Sequence, residues 1–214
     1  MKKTLLVFDI DGTLTDSVSQ HQAAFYSSLE DIGIKNIDSN WGDYIHHTDR
    51  YIFERNYENY FEKESQNSDL IRFEELILKH LSTQPAINEI EGASDFLQKS
   101  AEKGYAYCLV TGSLKNPAIN KMEQAKISFN EKLLATASEN VSRDEIVLNA
   151  IEKAKKFYQQ DSFPNIISLG DGIWDLRTAK NLNFSFIAIG KTSEKLVGEG
   201  AESHFIDYTS FNLD

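Results

Sequence analysis

Residues Leu5-Leu6-Val7-Phe8 form an unbroken apolar run that ends in Asp9-Ile10-Asp11-Gly12. An apolar run without alternation reads as a strand covered on both faces, which demands a sheet held between other layers. Side chains on a strand repeat every two residues, so Asp9 and Asp11 emerge on the same side if the strand continues, and Gly12 lets the backbone turn sharply. Two carboxylates gathered at a strand end repel, and burying them unpaired is costly. Such a pair calls for a cation or a shared proton. Asp-Gly is also a common turn signal, so this segment by itself leaves an ordinary turn open.

The same pattern recurs. Strand-like apolar runs fall at residues 105–110, 132–135, 166–169 and 184–189, and helical spacing of apolar residues falls between them at 92–103, 116–125 and 143–158. Strand and helix in alternation predict an α/β fold, a Rossmann-like, doubly wound parallel sheet with helices on both faces. In such sheets ligands bind outside the carboxyl ends of the strands, and Asp9, Asp11, Thr111 and Asp171 all follow such ends. Residues 16–88 break the alternation. They read as helices at 19–32, 49–64 and 69–81, carrying much of the aromatic content, including Trp41, Tyr44, Phe53 and Phe73. The expected organisation is a core built from residues 1–15 and 89–214 with an inserted α-helical cap domain at 16–88.

Composition narrows the partners. The formal net charge is -11, which argues against nucleic acid or an anionic membrane as the partner, while a bound divalent cation still allows an anionic small substrate. The single cysteine, Cys108, rules out an intrachain disulfide and fits a reducing compartment; it lies in an apolar run and reads as a small core residue. Lys2-Lys3 and a few apolar residues make too short a segment for a signal peptide, and no stretch approaches membrane-spanning length. A cytoplasmic protein with no membrane partner is expected.

Three further segments bear on chemistry. Thr111-Gly112-Ser113 ends a strand with two hydroxyls and free backbone N–H groups suited to phosphate oxygens; Ser113 is equally a plain helix N-cap. Ser142-Arg143-Asp144-Glu145 opens a helix, where Arg143 either neutralises phosphate or pairs with a nearby acid at the surface. Gly170-Asp171-Gly172-Ile173-Trp174-Asp175 places two carboxylates where both approach one ion, and hard oxygen ligands suit Mg²⁺.

Together, in this order, the four segments resemble the motifs of the haloacid dehalogenase superfamily of phosphohydrolases. Asp9-Ile10-Asp11-Gly12-Thr13-Leu14-Thr15 matches the first motif, Thr111-Gly112-Ser113 the second, and Gly170 to Asp175 the fourth. Residues 16–21, with Ala24-Phe25 and Leu29, resemble the subgroup with a helical cap after the first strand, to which phosphoglycolate phosphatase and β-phosphoglucomutase belong. The third motif departs from the commonest pattern: Arg143 stands where the family usually has lysine before a proline. Lys115, Lys121 and Lys153 are further candidates for that charge.

The resemblance implies a Mg²⁺-dependent phosphatase of a small phosphorylated metabolite. Asp9 is then the nucleophile that forms an aspartyl-phosphate, and Asp11 the acid and later the base. Mg²⁺ is held by Asp9, the main-chain carbonyl of Asp11 and Asp171, with Asp175 steadying the ion or its waters. Thr111 and Arg143 stabilise the phosphoryl group, with Gly112 and Ser113 beside it. The carboxylate at Asp11 points to phosphate monoesters, by hydrolysis or by mutase transfer within a sugar phosphate. A regulatory binding protein on the same scaffold is the reading outside enzymes. In the cap, His21 near the hinge is a candidate substrate contact or a packing residue, and residues 41–49, with His46-His47-Thr48-Asp49, look like a loop lining the pocket. Arg50 faces either an anionic leaving group or Glu54.

Overall fold

The computed structural model describes residues 2–211. Leu5, Leu6, Val7 and Phe8 are wholly buried in strand β1 (Thr4–Asp9), each burial stabilising the fold by about 1.5–3 kcal/mol. Strands β2 (Ala106–Val110), β3 (Leu134–Ala135), β4 (Asn165–Gly170), β5 (Ser185–Ile189) and β6 (Ser203–Phe205) complete one sheet in the order β3-β2-β1-β4-β5-β6, with every pairing parallel. The order reverses beside β1, which is the topological switch point where ligands bind in such sheets. Register does the rest. Phe8 lies opposite Leu109 and Leu169, so the residues after β1, β2 and β4 leave the same edge together.

Helices α4 (Ala93–Glu102), α5 (Lys115–Gln124), α6 (Arg143–Tyr158), α7 (Ile173–Asn181) and the short α8 (Lys195–Gly198) alternate with the strands. This is the expected Rossmann-like α/β architecture. Two strands differ from the sequence expectation. Of residues 132–135 only the last two are strand, because Glu131–Leu133 closes a 3-10 turn. Strand β6 was not expected; Ser203, His204 and Phe205 are half-buried at the sheet edge and carry no apolar run to announce them.

Between β1 and α4 the chain forms α1 (Val18–Ile32), α2 (Asp49–Phe61) and α3 (Asn67–Leu81). Helix α2 stops before residue 64 because Glu62 turns to φ 54° and gives its N–H to the Glu58 carbonyl. The three helices share an aromatic core: Phe53 stacks on Phe73 at 4.4 Å, and Phe25 meets Phe73 edge-on at 4.9 Å. The chain enters and leaves this helical segment side by side, with Asp16 N donating to Asn88 O and Ile90 N to Leu14 O, both at 2.9 Å. Among the described residues no helix is long and apolar enough to cross a membrane.

Candidate active site

Asp9 ends β1 and is 3% exposed. The residue that meets it is placed by local chemistry far away in sequence. Ser142 caps α6, accepting from Glu145 N while the Glu145 side chain accepts from Ser142 N, so Arg143 becomes the first helical residue. From there Arg143 Nη2 donates to Asp9 Oδ1 at 2.7 Å and also to Asp175 Oδ1. Asp175, in the first turn of α7, accepts from Gly172 N with its other oxygen at 3.1 Å. Asp9, Asp171 and Asp175 each present an oxygen within 4.8 Å of one another. Gly12 (φ 81°) makes room here, since any side chain on it would collide with the Asp171 carboxylate.

Burial raises the pKa of all three carboxyls, and their mutual repulsion adds to it for Asp9 and Asp171; Asp171 is pushed up to about 8. One guanidinium faces three carboxylates, so the cluster is short of positive charge. Hard oxygen donors at this spacing fit a small divalent cation such as Mg²⁺.

Asp11 points elsewhere. Its carboxylate accepts from Lys121 Nζ at 2.6 and 2.7 Å, from Ser17 Oγ at 2.6 Å, and from Thr111 Oγ1 and Ser113 Oγ at 3.1 Å each. Burial would raise this carboxyl, but the Lys121 ammonium, His21 and Ser17 outweigh it and hold it well below the usual carboxylate range. Its carboxylate is therefore no part of the three-carboxylate cluster.

The helical segment closes over this edge. Thr48 Oγ1 donates to Val141 O at 2.8 Å, Asp49 N to Gly112 O at 2.7 Å, and Leu114 N to Asp49 Oδ2 at 3.0 Å. Gly112 is required by this contact, because a Cβ there would lie 2.6 Å from the His47 carbonyl. His47 stacks flat on Trp174, ring centroids 3.7 Å apart. Burial and the nearby Arg143 charge lower the His47 pKa to about 4, so its ring is neutral at pH 7. Beneath lies a cavity of about 110 Å³, reached by Asp9, Asp11, Ser113, Arg143 and Asp171 from the sheet side and by His21 and Asp49 from above. His21 Nε2 lies 2.8 Å from Asp49 Oδ1, bridging α1 and α2 at the cavity wall.

The sequence profile of the haloacid dehalogenase-like hydrolases matches residues 6–189. The chain belongs to that family. Solved structures share the fold of this hydrolase. A hydrolase from Entamoeba histolytica superposes with a TM-score of 0.70 at 15% identity, over 96% of its chain and 98% of this one. CbbY from Rhodobacter sphaeroides, in complex with phosphate, gives 0.65 at 15% identity, over 96% of its chain and 98% of this one. A Bacteroides vulgatus protein provisionally assigned as a beta-phosphoglucomutase gives 0.70 at 18% identity, over 84% of its chain and 96% of this one. A search of curated protein sequences found no match.

Within this hydrolase the expected residues divide. Asp9, Arg143, Asp171 and Asp175 converge, and Asp11, Ser113 and His21 adjoin them at the cavity. Thr111, 1% exposed, spends its hydroxyl on Asp11 and backs the cavity rather than facing it. Arg50 turns to Glu54 at 2.8 Å, His46 packs on Tyr51, and Lys153 pairs with Glu139. Two residues carry more than sequence reasoning assigned them. Lys121 was only one of several candidate cations, yet Leu114, Ala118, Lys121, Met122 and Ala125 lie on one buried helical face, and a lysine in an apolar stripe is a signal that it has a buried partner. Asp49 reads in sequence as the start of a helix after Thr48; that it also walls the cavity depends on how α2 docks.

Proposed function

We propose that the chain is a Mg²⁺-dependent phosphatase that hydrolyses a small phosphorylated metabolite through an aspartyl-phosphate, with residues 16–88 as the cap over a core of 1–15 and 89–214. The observation that carries this reading is the pair of carboxylates two residues apart, Asp9 and Asp11, held by different cations at one cavity. Environments that push two titratable groups apart assign them different roles.

Asp9, Asp171 and Asp175 with the main-chain carbonyl of Asp11 would hold Mg²⁺, whose charge offsets the repulsion between carboxylate and phosphate. Asp9 attacks phosphorus as the bond to the leaving oxygen breaks. Arg143, anchored between Asp9 and Asp175, stabilises negative charge on the transferring group. Asp11, ionised in the free protein, relays the proton of the ester's monoanionic phosphate to the leaving oxygen as that bond breaks. In the second step Asp11, ionised at neutral pH, draws a proton from the water that cleaves the acyl phosphate. Ser113 and Gly112 edge the phosphoryl position, and the docked cap with its His47–Trp174 stack excludes bulk water. Cys108 takes no part: it is buried and burial pushes its thiol pKa far up. With a single cysteine and an acidic balance, a cytoplasmic setting without nucleic-acid or membrane partners fits.

Phosphate release over a panel of phosphorylated metabolites and p-nitrophenyl phosphate, with Mg²⁺, tests the reading. The wild type is expected to release phosphate, and Asp9→Asn to fall below about one-thousandth of it with an unchanged circular dichroism spectrum. Near-normal turnover in Asp9→Asn, or sugar-phosphate isomerisation without phosphate release, would overturn it, the latter in favour of a mutase.

A further inference from the structure

The cavity over Asp9 continues into a second, of about 40 Å³, which shares His21, Gln22, His47, Asp49 and Ile52 with it and ends against Phe25 and Trp41. With a phosphoryl group at Asp9, this adjoining space is open to the alcohol it is attached to. The two spaces are far smaller than the roughly 300–1,000 Å³ of drug-sized ligand sites, so they hold an alcohol of few heavy atoms.

The charge of the wall is equally informative. Among the described residues, no Lys or Arg of the cap lines either cavity. The cap's cations are turned away: Arg50 to Glu54, Arg55 to Glu58, Lys79 to Asp31. Arg143 lies at the phosphoryl end between two carboxylates, and Lys121 is wholly buried against Asp11. The one formal charge the cap brings to the far end is the Asp49 carboxylate. Leu114 N and His21 orient it, and Phe25, Trp41 and Ile52 complete an otherwise apolar lining. The other titratable groups facing this space are two histidines: burial and the Arg143 charge lower the His47 pKa to about 4, and the His21 Nε2 is taken up by Asp49.

We propose that this pocket selects small phosphate monoesters whose alcohol carries no second anionic group, and that Asp49 is the specificity-determining residue that turns away bisphosphates and phosphorylated acids. This rests on the monoester reading above. A second phosphate or carboxylate would leave water for a small, aromatic-walled space and meet a like charge, with no lysine or arginine of the cap to offset the loss. A hydroxyl or an ammonium in the same place meets an acceptor instead.

Glycerol 3-phosphate and 3-phosphoglycerate are a matched pair, differing in a hydroxymethyl against a carboxylate. With Mg²⁺ and the full chain, kcat/KM is expected to favour glycerol 3-phosphate by at least about tenfold. Asp49→Asn should narrow that ratio. Gln22→Arg, which adds a cation to the wall from an exposed helical position without touching the hydrogen bonds of Asp49, should narrow it too. Binding of the same pair to the Asp9→Asn protein, by calorimetry, gives the selectivity without turnover. Equal or tighter binding of 3-phosphoglycerate overturns the proposal. Absence of phosphate release from any ester, with the binding preference intact, overturns the phosphatase reading instead.

Discussion

Lys121 Nζ lies 2.6 and 2.7 Å from the two carboxylate oxygens of Asp11, and Ser113 Oγ accepts from the same ammonium at 2.6 Å. The lysine is 0% exposed. Asp9, two residues away, is served instead by Arg143. The neighbouring carboxylates of the first motif thus carry separate cations from α5 and α6. Their pKa values move in opposite directions: Asp9 up, Asp11 down.

Lys121→Met leaves the Asp11 charge with hydroxyl partners only. Removing one member of a buried ion pair costs roughly 3–5 kcal/mol, to be read from denaturant unfolding. The pH signature separates this from simple loss of stability. In the wild type the depressed Asp11 pKa keeps the base ionised, and its stabilising contribution is lost only as pH falls through that low value. In the variant the carboxyl rises, so the acid limb of the kcat/KM profile should move to higher pH by at least about one unit. An unmoved limb would show that Lys121 does not tune Asp11.

Arg143→Lys keeps the charge but loses the planar fork that reaches Asp9 and Asp175 together. Turnover is expected to drop roughly 100-fold, with KM changed less than kcat. A variant with lysine that works as well as the wild type would mean that a point charge suffices at this position.

Asp171, raised to about 8 by burial and by the Asp175 charge, retains a proton in the folded protein that the unfolded chain loses near its ordinary value of 3.8. The folded state therefore binds more protons between those limits, and without metal its stability falls as pH rises through that window. A cation at the cluster displaces the proton, so it binds more tightly as pH rises. The increase in Tm on adding Mg²⁺ should be larger at pH 8 than at pH 5.5, and chelation should abolish turnover. A Tm shift independent of pH would remove Asp171 from the ion site.

The strands, the parallel sheet and the convergence of Asp9, Asp171 and Asp175 were legible in the chain because each rests on local pattern: an apolar run, its period, and a carboxylate at its end. Arg143 was less legible: its neighbourhood left phosphate contact and surface pairing both open, and the Ser142–Glu145 cap beside it fixes only where the helix starts. Strand β6 was not, having three half-buried residues and no run.

What the tertiary structure alone decided is which charges meet. Lys121 and Asp11 stand 110 residues apart, and Arg143 and Asp9 134 apart. Neither neighbourhood names the partner carboxylate; the packing of α5 and α6 along the sheet edge does. The same holds for Asp49, a helix-start residue by sequence and a negatively charged cavity wall once α2 docks on Gly112. Strands and helices follow from the repeat of neighbours, whereas electrostatic partnership depends on distances of a few ångströms between elements that the chain order leaves free.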